Sequence, residues 1–391
     1  MKKNPTKISN SAVNTFNDCS QKYKYRYKDR IVSLYKSGAL YFGSAVDEAM
    51  NVLLSPESFN DRTKAQEAFI AHWRRAEDNS KTVVDLSTSI NVTYAVADFD
   101  MDLMDDVDIT SALEMRDELK LGDNDIPKLM KIILGMKREM GWGNVSRRYR
   151  EFYNYCNWLC LYRKGLLMID EYIETMMPLI KEVLAVQKYI EVENDDGDLV
   201  RGYIDIVVRL QDGTVCVVDN KTSAITYERD SVRTSQQLGL YAAMLNIMAA
   251  DPTNEWEHKI DSCGYFVLYK RVVKDVVKIC GKCNTIAVKG SRHKSCAEDN
   301  PEDGKRCSGA FDRTVGLKIA TEIVIDEISS DFQDIILESF SKTNEAIKTG
   351  VFTRNLGACF KVWGRCEYYE HCLNKNDKEI IRLPKEESKK K

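Results

Sequence analysis

The sequence lacks a large net charge, a long hydrophobic run and an apolar segment near its first residue. Its 57 Lys and Arg residues against 60 Asp and Glu residues give a formal net charge of −3. This near balance excludes a basic field over the whole protein, so any surface for nucleic acid must be local. No apolar stretch is long enough to span a bilayer, and the opening segment MKKNPTKISNSAVNTF has no signal-peptide core. We therefore expect a cytoplasmic protein with no membrane partner.

Cysteine, by contrast, is plentiful. The chain has 12 Cys among 391 residues, within a composition of 43% hydrophobic and 30% charged residues that is ordinary for a soluble globular protein. In a reducing compartment, clustered cysteines indicate metal sites rather than a disulfide framework. The length allows two or three domains and more than one core.

The pattern of the chain changes from helical to strand-rich near residue 188. Residues 60 to about 185 contain few β-branched runs and are interpreted mainly as helices. After them LVRGYIDIVVRL, the turn pair Asp212–Gly213 and TVCVVDNKT predict a β-hairpin. The segment TSQQLGLYAAMLNIMAA predicts a helix with Ser235 as its N-cap, two further strands follow, and a last helix is expected near 329–349. The order indicates an α/β protein.

The segment CVVDNKTSAI places two opposite charges in a strand that should be buried. Side chains alternate across a strand, so Asp219 and Lys221 share one face. The preceding strand carries Asp205, with Tyr203 and Val207 expected on its face, and paired strands lie roughly 4.8 Å apart. Two ionised carboxylates that close repel each other, and a hard divalent cation such as Mg²⁺ removes the penalty.

The helix after this hairpin adds two polar side chains that could contact a phosphate. Gln237 and Tyr241 are four residues apart and therefore lie on one helix face. Taken alone, Asp219 and Lys221 favour an ion pair on an edge strand, with Asp205 exposed. The joint order of G-x-x-D, D-x-K and Q-x-x-x-Y favours a site.

This order of motifs resembles the PD-(D/E)xK nuclease superfamily, and within it the RecB-like branch of AddB-type and CRISPR-associated exonucleases. The resemblance implies a restriction-endonuclease-like α/β fold, a mixed central sheet flanked by helices. It implies that Asp205 and Asp219 bind Mg²⁺ or Mn²⁺ and that Lys221 is catalytic. Gln237 and Tyr241 match the helix motif of that branch.

One position departs from the family pattern. The first motif of the branch is usually G-x-x-x-H, with His as a metal ligand, whereas GSAVDEA places Asp47 four residues after Gly43. Aspartate can replace histidine on a hard cation, at the cost of another negative charge. Glu48 is the neighbouring alternative, and an ordinary acid on a helix surface is the plain explanation.

Three cysteines near the C-terminus need a fourth to hold an iron–sulfur cluster. Chain ends often lie close together in a domain, so the partner could come from the other end of the chain. The resemblance implies the same arrangement, a [4Fe–4S] cluster that joins the two ends. The expected ligands are Cys19, Cys359, Cys366 and Cys372. His371 keeps zinc open as an alternative, and reduced core thiols are another.

A second cysteine group lies in a polar segment with almost no apolar residues for a core. Structural Zn²⁺ supplies folding energy that such a segment lacks. The expected ligands are Cys280, Cys283, Cys296 and Cys307. A strand precedes this segment and another follows it, so we expect a zinc knob at the tip of a hairpin. The sequence leaves three roles open for this knob: contact with DNA, contact with a partner, or stabilisation of the fold.

These expectations divide the chain into five segments and give one function. The segments are an N-terminal nuclease part (1–59), a helical insertion (60–185), the nuclease core (186–279), the zinc knob (280–309) and a C-terminal nuclease part (310–391). The expected function is a metal-dependent exonuclease on single-stranded DNA or DNA ends, in bacterial or phage DNA recombination, repair or degradation, with a helicase or recombination protein as a candidate partner. The alternatives are a non-catalytic DNA-binding accessory subunit and a zinc-dependent regulator in which Asp219 and Lys221 form only an ion pair.

Overall fold

The computed structural model describes the central sheet, the helices on both of its faces and most of both chain ends. The described residues are 7–74, 83–85, 126–194, 196–282, 296, 307, 309–361 and 364–383. Of the expected ligands, Cys283 lies outside them.

Strands make up the centre of the molecule and helices its two outer layers. The strands are β1 (Lys7–Ser9), β2 (Ile31–Ser33), β3 (Tyr35–Ser37), β4 (Val83–Asp85), β5 (Ile180–Glu193), β6 (Leu199–Leu210), β7 (Val215–Ser223), β8 (Ser262–Cys280), β9 (Phe311–Asp326), β10 (Phe360–Lys361), β11 (Gly364–Arg365) and β12 (Ile380–Arg382). The helices are α1 (Asn10–Asp18), α2 (Ser20–Tyr23), α3 (Gly38–Leu54), α4 (Arg62–Arg74), α5 (Ile126–Met140), α6 (Arg147–Thr175), α7 (Arg229–Arg233), α8 (Gln236–Ala250), α9 (Ser330–Lys348) and α10 (Tyr369–Asn374).

The main sheet is mixed and has the order β1-β6-β7-β8-β9, with β5 also paired to β6. β1 runs parallel to β6 and β7 parallel to β8, whereas the β5–β6, β6–β7 and β8–β9 pairs are antiparallel. Parallel neighbours need a crossover connection, and α7 and α8 supply it between β7 and β8. The predicted α/β fold with a mixed sheet flanked by helices is confirmed.

Each sheet face has its own hydrophobic core. On one face α3, α4 and α6 cover inward side chains such as Val218 of β7 and Phe266 of β8. On the other face α1, α8 and α9 cover Val217 and Val267, the neighbours of those residues along the strands. Alternation along β7 and β8 therefore serves two cores. Within the described residues, no helix combines the length and the apolar character needed to cross a membrane.

Local sequence signals account for the element boundaries around the site. Gly213 has φ +94° in the turn between β6 and β7, and the Asp212 carboxylate accepts a hydrogen bond from Thr214 N at 2.9 Å. Ser235 caps α8 by accepting from Leu238 N at 3.2 Å. The predicted hairpin and the predicted N-cap are both confirmed.

Along β6, buried residues alternate with less buried ones from Val200 to Ile206, and the core that they join changes at Asp205. Ile204 and Val207, three residues apart, pack in the core under α8, whereas Ile206 packs in the opposite core. Tyr203 is 60% exposed while Val207 is fully buried. The expectation that these two residues share one face with Asp205 stays a prediction, because a difference in exposure does not assign a side chain to a face.

Candidate active site

Asp219 and Lys221 lie near the end of β7 and form an ion pair. Lys221 Nζ lies 2.5 Å from Asp219 Oδ2, and the Asp219 side chain is 3% exposed. Among the described residues, no backbone N–H, hydroxyl or amide group hydrogen-bonds to either carboxylate oxygen of Asp219. Burial acts to lower the pKa of Lys221, but the adjacent Asp219 and Asp205 carboxylates outweigh it and the pKa is raised. Asp219 is thus a buried carboxylate with unused acceptor capacity.

Asp205 lies opposite Asp219 on the neighbouring strand. The β6–β7 pairing ends at Ile206 and Val218, and one further step along both strands reaches these two aspartates. Burial and the neighbouring Asp219 carboxylate raise the pKa of Asp205 to about 9. Two neighbouring carboxylates repel each other when both are ionised, and the Lys221 ammonium offsets only part of the burial and repulsion that act on Asp205.

Asp47 of α3 belongs to the same electrostatic cluster. Burial is the main cause that raises its pKa; the charge of Asp219 acts in the same direction, and a hydrogen bond from Asn51 acts against it. Gly43, one turn earlier, lies so close to β7 that an added Cβ would be 3.2 Å from Thr222 Oγ1. This close approach brings Asp47 to the end of the sheet. The neighbouring Glu48 is exposed.

Tyr241 of α8 lies within electrostatic range of the same carboxylates, and Gln237 lies beside Tyr241. Burial and the charges of Asp205 and Asp219 raise the pKa of Tyr241 to about 12, and the Gln237 side chain acts to lower it. The Tyr241 ring packs over Gly202, where an added Cβ would lie 2.6 Å from Cε1. The glycine of the G-x-x-D pattern therefore makes room for the tyrosine of the helix pattern.

Two tyrosines of the site were missed in the sequence. The buried Tyr172 of α6 donates a hydrogen bond to Asn220 Oδ1 at 3.2 Å, and burial, with the charges of Asp47 and Asp205, raises its pKa. Tyr227, which follows β7, is half-buried, and its pKa is raised by burial while Lys221 acts to lower it. Asn220, a polar residue between Asp219 and Lys221, was the sequence feature that could have indicated a hydrogen-bonding partner such as Tyr172. No local pattern marks Tyr227.

The donors of this cluster fit a hard divalent cation. Such ions take carboxylate oxygens and keep several waters. A cation beside Asp205 and Asp219 would offset the burial and the carboxylate repulsion that raise the pKa of Asp205. Asp219 Oδ1, which has no hydrogen-bond partner among the described residues, is available to it. The carboxylates of Asp47, Asp205 and Asp219 do not form a closed metal site. Among the described residues, their oxygens do not all lie within 4.8 Å of one another.

The two ends of the chain meet at the first cysteine group. β12 pairs with β2, and Cys19 Sγ accepts a hydrogen bond from Asn355 N at 3.4 Å. Cys372 Sγ accepts from Arg354 Nε at 3.3 Å, and Cys359 lies within electrostatic range of Cys19, Cys366 and Cys372. His371 places its Nδ1 2.6 Å from Asp377 Oδ1. Four thiols drawn from both ends, with N–H donors to two of them, suit a cluster larger than one ion.

The second cysteine group is tighter. Cys280, Cys296 and Cys307 are buried, and their sulfurs lie within 4.8 Å of one another. Cys280 Sγ and Cys307 Sγ are 3.6 Å apart, close to the about 3.8 Å edge of a tetrahedron with Zn–S bonds of 2.3 Å. Gly309 leaves room for Cys280, because an added Cβ would lie 2.4 Å from its sulfur. The described cysteines form no disulfide.

Comparison with known proteins agrees with this geometry. The family model of the PD-(D/E)XK nuclease superfamily matches residues 158–372, just over half of the chain. The chain belongs to this superfamily and is a metal-dependent nuclease. The matched range contains Asp205, Asp219 and Lys221, whereas Asp47 and Cys19 precede it. No curated protein matches the chain.

Proposed function

We propose that the protein is a deoxyribonuclease that degrades DNA from an end, in bacterial or phage recombination, repair or degradation. The observation that carries the proposal is the cluster at the end of β7, where Lys221 Nζ is 2.5 Å from Asp219 and Asp205 faces the same carboxylate. Membership of the nuclease superfamily supports hydrolysis of nucleic acid as the reaction. The preference for DNA ends is our extension.

Asp205 and Asp219, with Asp47 as a third ligand, would hold Mg²⁺ or Mn²⁺. When bound, the cation acts as a Lewis acid on the phosphate and lowers the pKa of water. The protein places its own groups around the phosphodiester. The Lys221 ammonium, fixed by Asp219, offers a hydrogen bond and a positive charge to the oxygen on which negative charge develops. Gln237 and Tyr241 offer polar contacts from the α8 side.

The two cysteine groups are proposed to have structural roles. A [4Fe–4S] cluster on Cys19, Cys359, Cys366 and Cys372 would join the chain ends, where β2 and β12 already pair. A Zn²⁺ ion would be held by Cys280, Cys296 and Cys307, with Cys283 as its fourth ligand. The five-segment division of the chain, a helicase or recombination partner and a cytoplasmic location remain proposals that follow from the sequence.

End-labelled DNA tests the proposed activity. Purified protein with Mg²⁺ or Mn²⁺ is expected to degrade linear single strands or duplex ends and to leave circular single strands intact, and a chelator abolishes the reaction. Asp219→Asn removes the reaction, whereas Asp334→Asn, an exposed aspartate on α9, does not. Cleavage of circular DNA would show an endonuclease instead. DNA binding without cleavage would favour the accessory-subunit alternative, which the replacement of His by Asp47 keeps open.

A further inference from the structure

β8 and β9 continue far beyond the strand that carries Asp219 and Lys221. The pairing of β7 with β8 ends at Ser223 and Tyr269, but β8 stays paired with β9 until Cys280 faces Phe311. The stretch from Lys270 to Cys280 spans about 36 Å at ~3.3 Å per residue. We call residues 270–282 and 309–318 the hairpin arm.

The arm is fixed at its base and at its tip. A register shift between Leu268 and Val272 interrupts the ladder at the base, as a bulge does. Lys318 Nζ lies 3.0 Å from Glu174 of α6, and Lys164 Nζ of α6 donates to the Lys270 carbonyl at 3.4 Å. At the tip, the sulfurs of Cys280 and Cys307 are 3.6 Å apart. A two-stranded ribbon is marginal by itself, so these two attachments stabilise it.

Positive charge is concentrated on this arm. Its residues include seven Lys and Arg against two Asp, in a chain of formal net charge −3. Two of the seven face the protein, since Lys270 donates to the Ala39 carbonyl and Lys318 pairs with Glu174. Arg271 and Lys282 are exposed and Lys278 is half-buried. A local excess of cations on this hairpin complements a polyanion.

The arm has cations but no exposed aromatic ring. Its single aromatic residue is Phe311, and that side chain packs against the cysteine group. Proteins that bind single strands stack bases on aromatic side chains, whereas contact with a duplex backbone needs only cations near phosphates. The composition of the hairpin arm therefore favours contact with duplex DNA over contact with single-stranded DNA.

We propose that the hairpin arm binds the phosphate backbone of duplex DNA whose end lies in the candidate active site. The proposal rests on the proposed function and narrows its substrate to duplex ends. An arm of this length covers about 11 base pairs at 3.4 Å each. The zinc knob would then set the far limit of the contact.

The experiment compares two triple variants that remove equal charge. The arm variant is Arg271→Gln, Lys278→Gln and Lys282→Gln, and the control variant is Lys181→Gln, Lys259→Gln and Lys342→Gln, all exposed and outside the arm. Binding is measured with Ca²⁺ in place of Mg²⁺, on duplexes of 6 and 14 base pairs and on a 14-nucleotide single strand. Zinc content, thermal unfolding and hydrolysis of bis(p-nitrophenyl) phosphate with Mn²⁺ confirm that each protein is folded and its site intact.

We expect the arm variant to lose at least tenfold affinity for the 14-base-pair duplex, with little change on the 6-base-pair duplex or the single strand. Its log–log salt slope should fall by about 2 to 3, since each lost phosphate contact removes about 0.9. The control variant should stay within twofold of wild type. If the arm variant loses zinc, Arg271→Gln alone should still lower affinity two- to threefold and reduce the slope by about 1.

Unchanged duplex affinity and slope in the arm variant, or an equal loss in the control variant, would overturn the arm proposal while leaving nuclease activity in place. An equal loss on the single strand would overturn its assignment to duplex DNA. A wild-type protein that neither binds nor cleaves any DNA would instead contradict the proposed function itself, and the arm proposal with it.

Discussion

The ring of Tyr241 occupies the space that a side chain at Gly202 would need, with Cε1 2.6 Å from the position of an added Cβ. The glycine lies on β6, three residues before Asp205, and the tyrosine lies on α8. The pair joins the strand and helix motifs of the site in one packing contact. Its consequence is that a single methyl group at Gly202 displaces a side chain beside the carboxylates.

Gly202→Ala should therefore lower activity and stability together. Overpacking costs typically 1–3 kcal/mol, and the displaced ring should reduce kcat by about tenfold. In a Tyr241→Ala background the same change should cost much less, because the clash is gone. Chemical denaturation and DNA cleavage by the four proteins measure this cycle. Gly135→Ala, in α5 with open space around it, is the control and should not destabilise. Equal costs in both backgrounds would contradict the packing argument.

Asp205→Asn should separate catalysis from folding. Loss of a metal-binding carboxylate should reduce cleavage by at least about a hundredfold. The metal-free protein should be at least as stable as wild type at neutral pH. Asp205, whose pKa is raised to about 9, must take up a proton when the protein folds, whereas asparagine is neutral in both states. Lys221→Met should reduce cleavage similarly while leaving Asp219 without its ion-pair partner, and should lower stability. Thermal unfolding in chelator, beside cleavage with Mg²⁺, distinguishes these results. A strongly destabilised Asp205→Asn would mean that this carboxylate is structural.

The two cysteine groups should lose their metals independently. Cys19→Ala, prepared without oxygen, should lose iron and colour and keep zinc, whereas Cys296→Ala should lose zinc and keep iron. Cys216→Ala, which removes a buried thiol of the sheet core, should keep both. Metal analysis of the three proteins decides the matter. Iron retained in Cys19→Ala, or zinc retained in Cys296→Ala, would refute the assignment of that residue. If wild type and variants all lack iron, the group at the chain ends is more readily a second zinc site with His371 as a candidate ligand.

Lys270 should make stability depend on pH above neutrality. Burial and the nearby Lys164 lower the pKa of Lys270 to about 8. Between about pH 8 and the unfolded value of 10.5 the unfolded chain binds more protons at this residue than the folded protein, so its contribution to stability rises with pH. Lys270→Met should thus stabilise the protein at pH 7, by at most about 3 kcal/mol, and this advantage should shrink by pH 9.5. Urea unfolding at both pH values measures it, with the exposed Lys259→Met as a control. An advantage that does not change with pH would show that packing, rather than charge, is responsible.

Asp198 should be important for stability but not for catalysis. This buried carboxylate, in the turn between β5 and β6, accepts a hydrogen bond from Asn344 Nδ2 at 2.8 Å and pairs with Lys348, both on α9. Asp198→Ala should cost about 1–3 kcal/mol, because it removes the carboxylate to which the buried Asn344 amide donates. Lys342→Ala, which breaks the exposed pair with Glu345, should cost less than about 1 kcal/mol. Denaturant midpoints test both, and a similar small cost for the two would contradict the buried-pair argument.

Those parts of the protein that depend on backbone periodicity could be predicted from the sequence. The shared face of Asp219 and Lys221 follows from strand alternation, and their ion pair follows from that face. The turn at Gly213 and the N-cap at Ser235 are likewise local, because each is set by the residue's own conformation or by a hydrogen bond a few residues away. The approach of Asp205 to Asp219 follows from the hairpin register.

The tertiary structure decided what depends on contacts between distant segments. That Asp47 reaches the cluster results from the close packing of α3 on β7 at Gly43, and that Cys19 meets Cys359 results from pairing of the chain ends. Tyr172 and Tyr227 reach the site from different parts of the chain, and no sequence motif relates either of them to Asp219 or Lys221. Along β6 the buried side chains change from one core to the other at Asp205, which the strand pattern alone does not indicate. Local geometry fixes the direction of a side chain along its own element, whereas packing of whole elements fixes which side chains it meets.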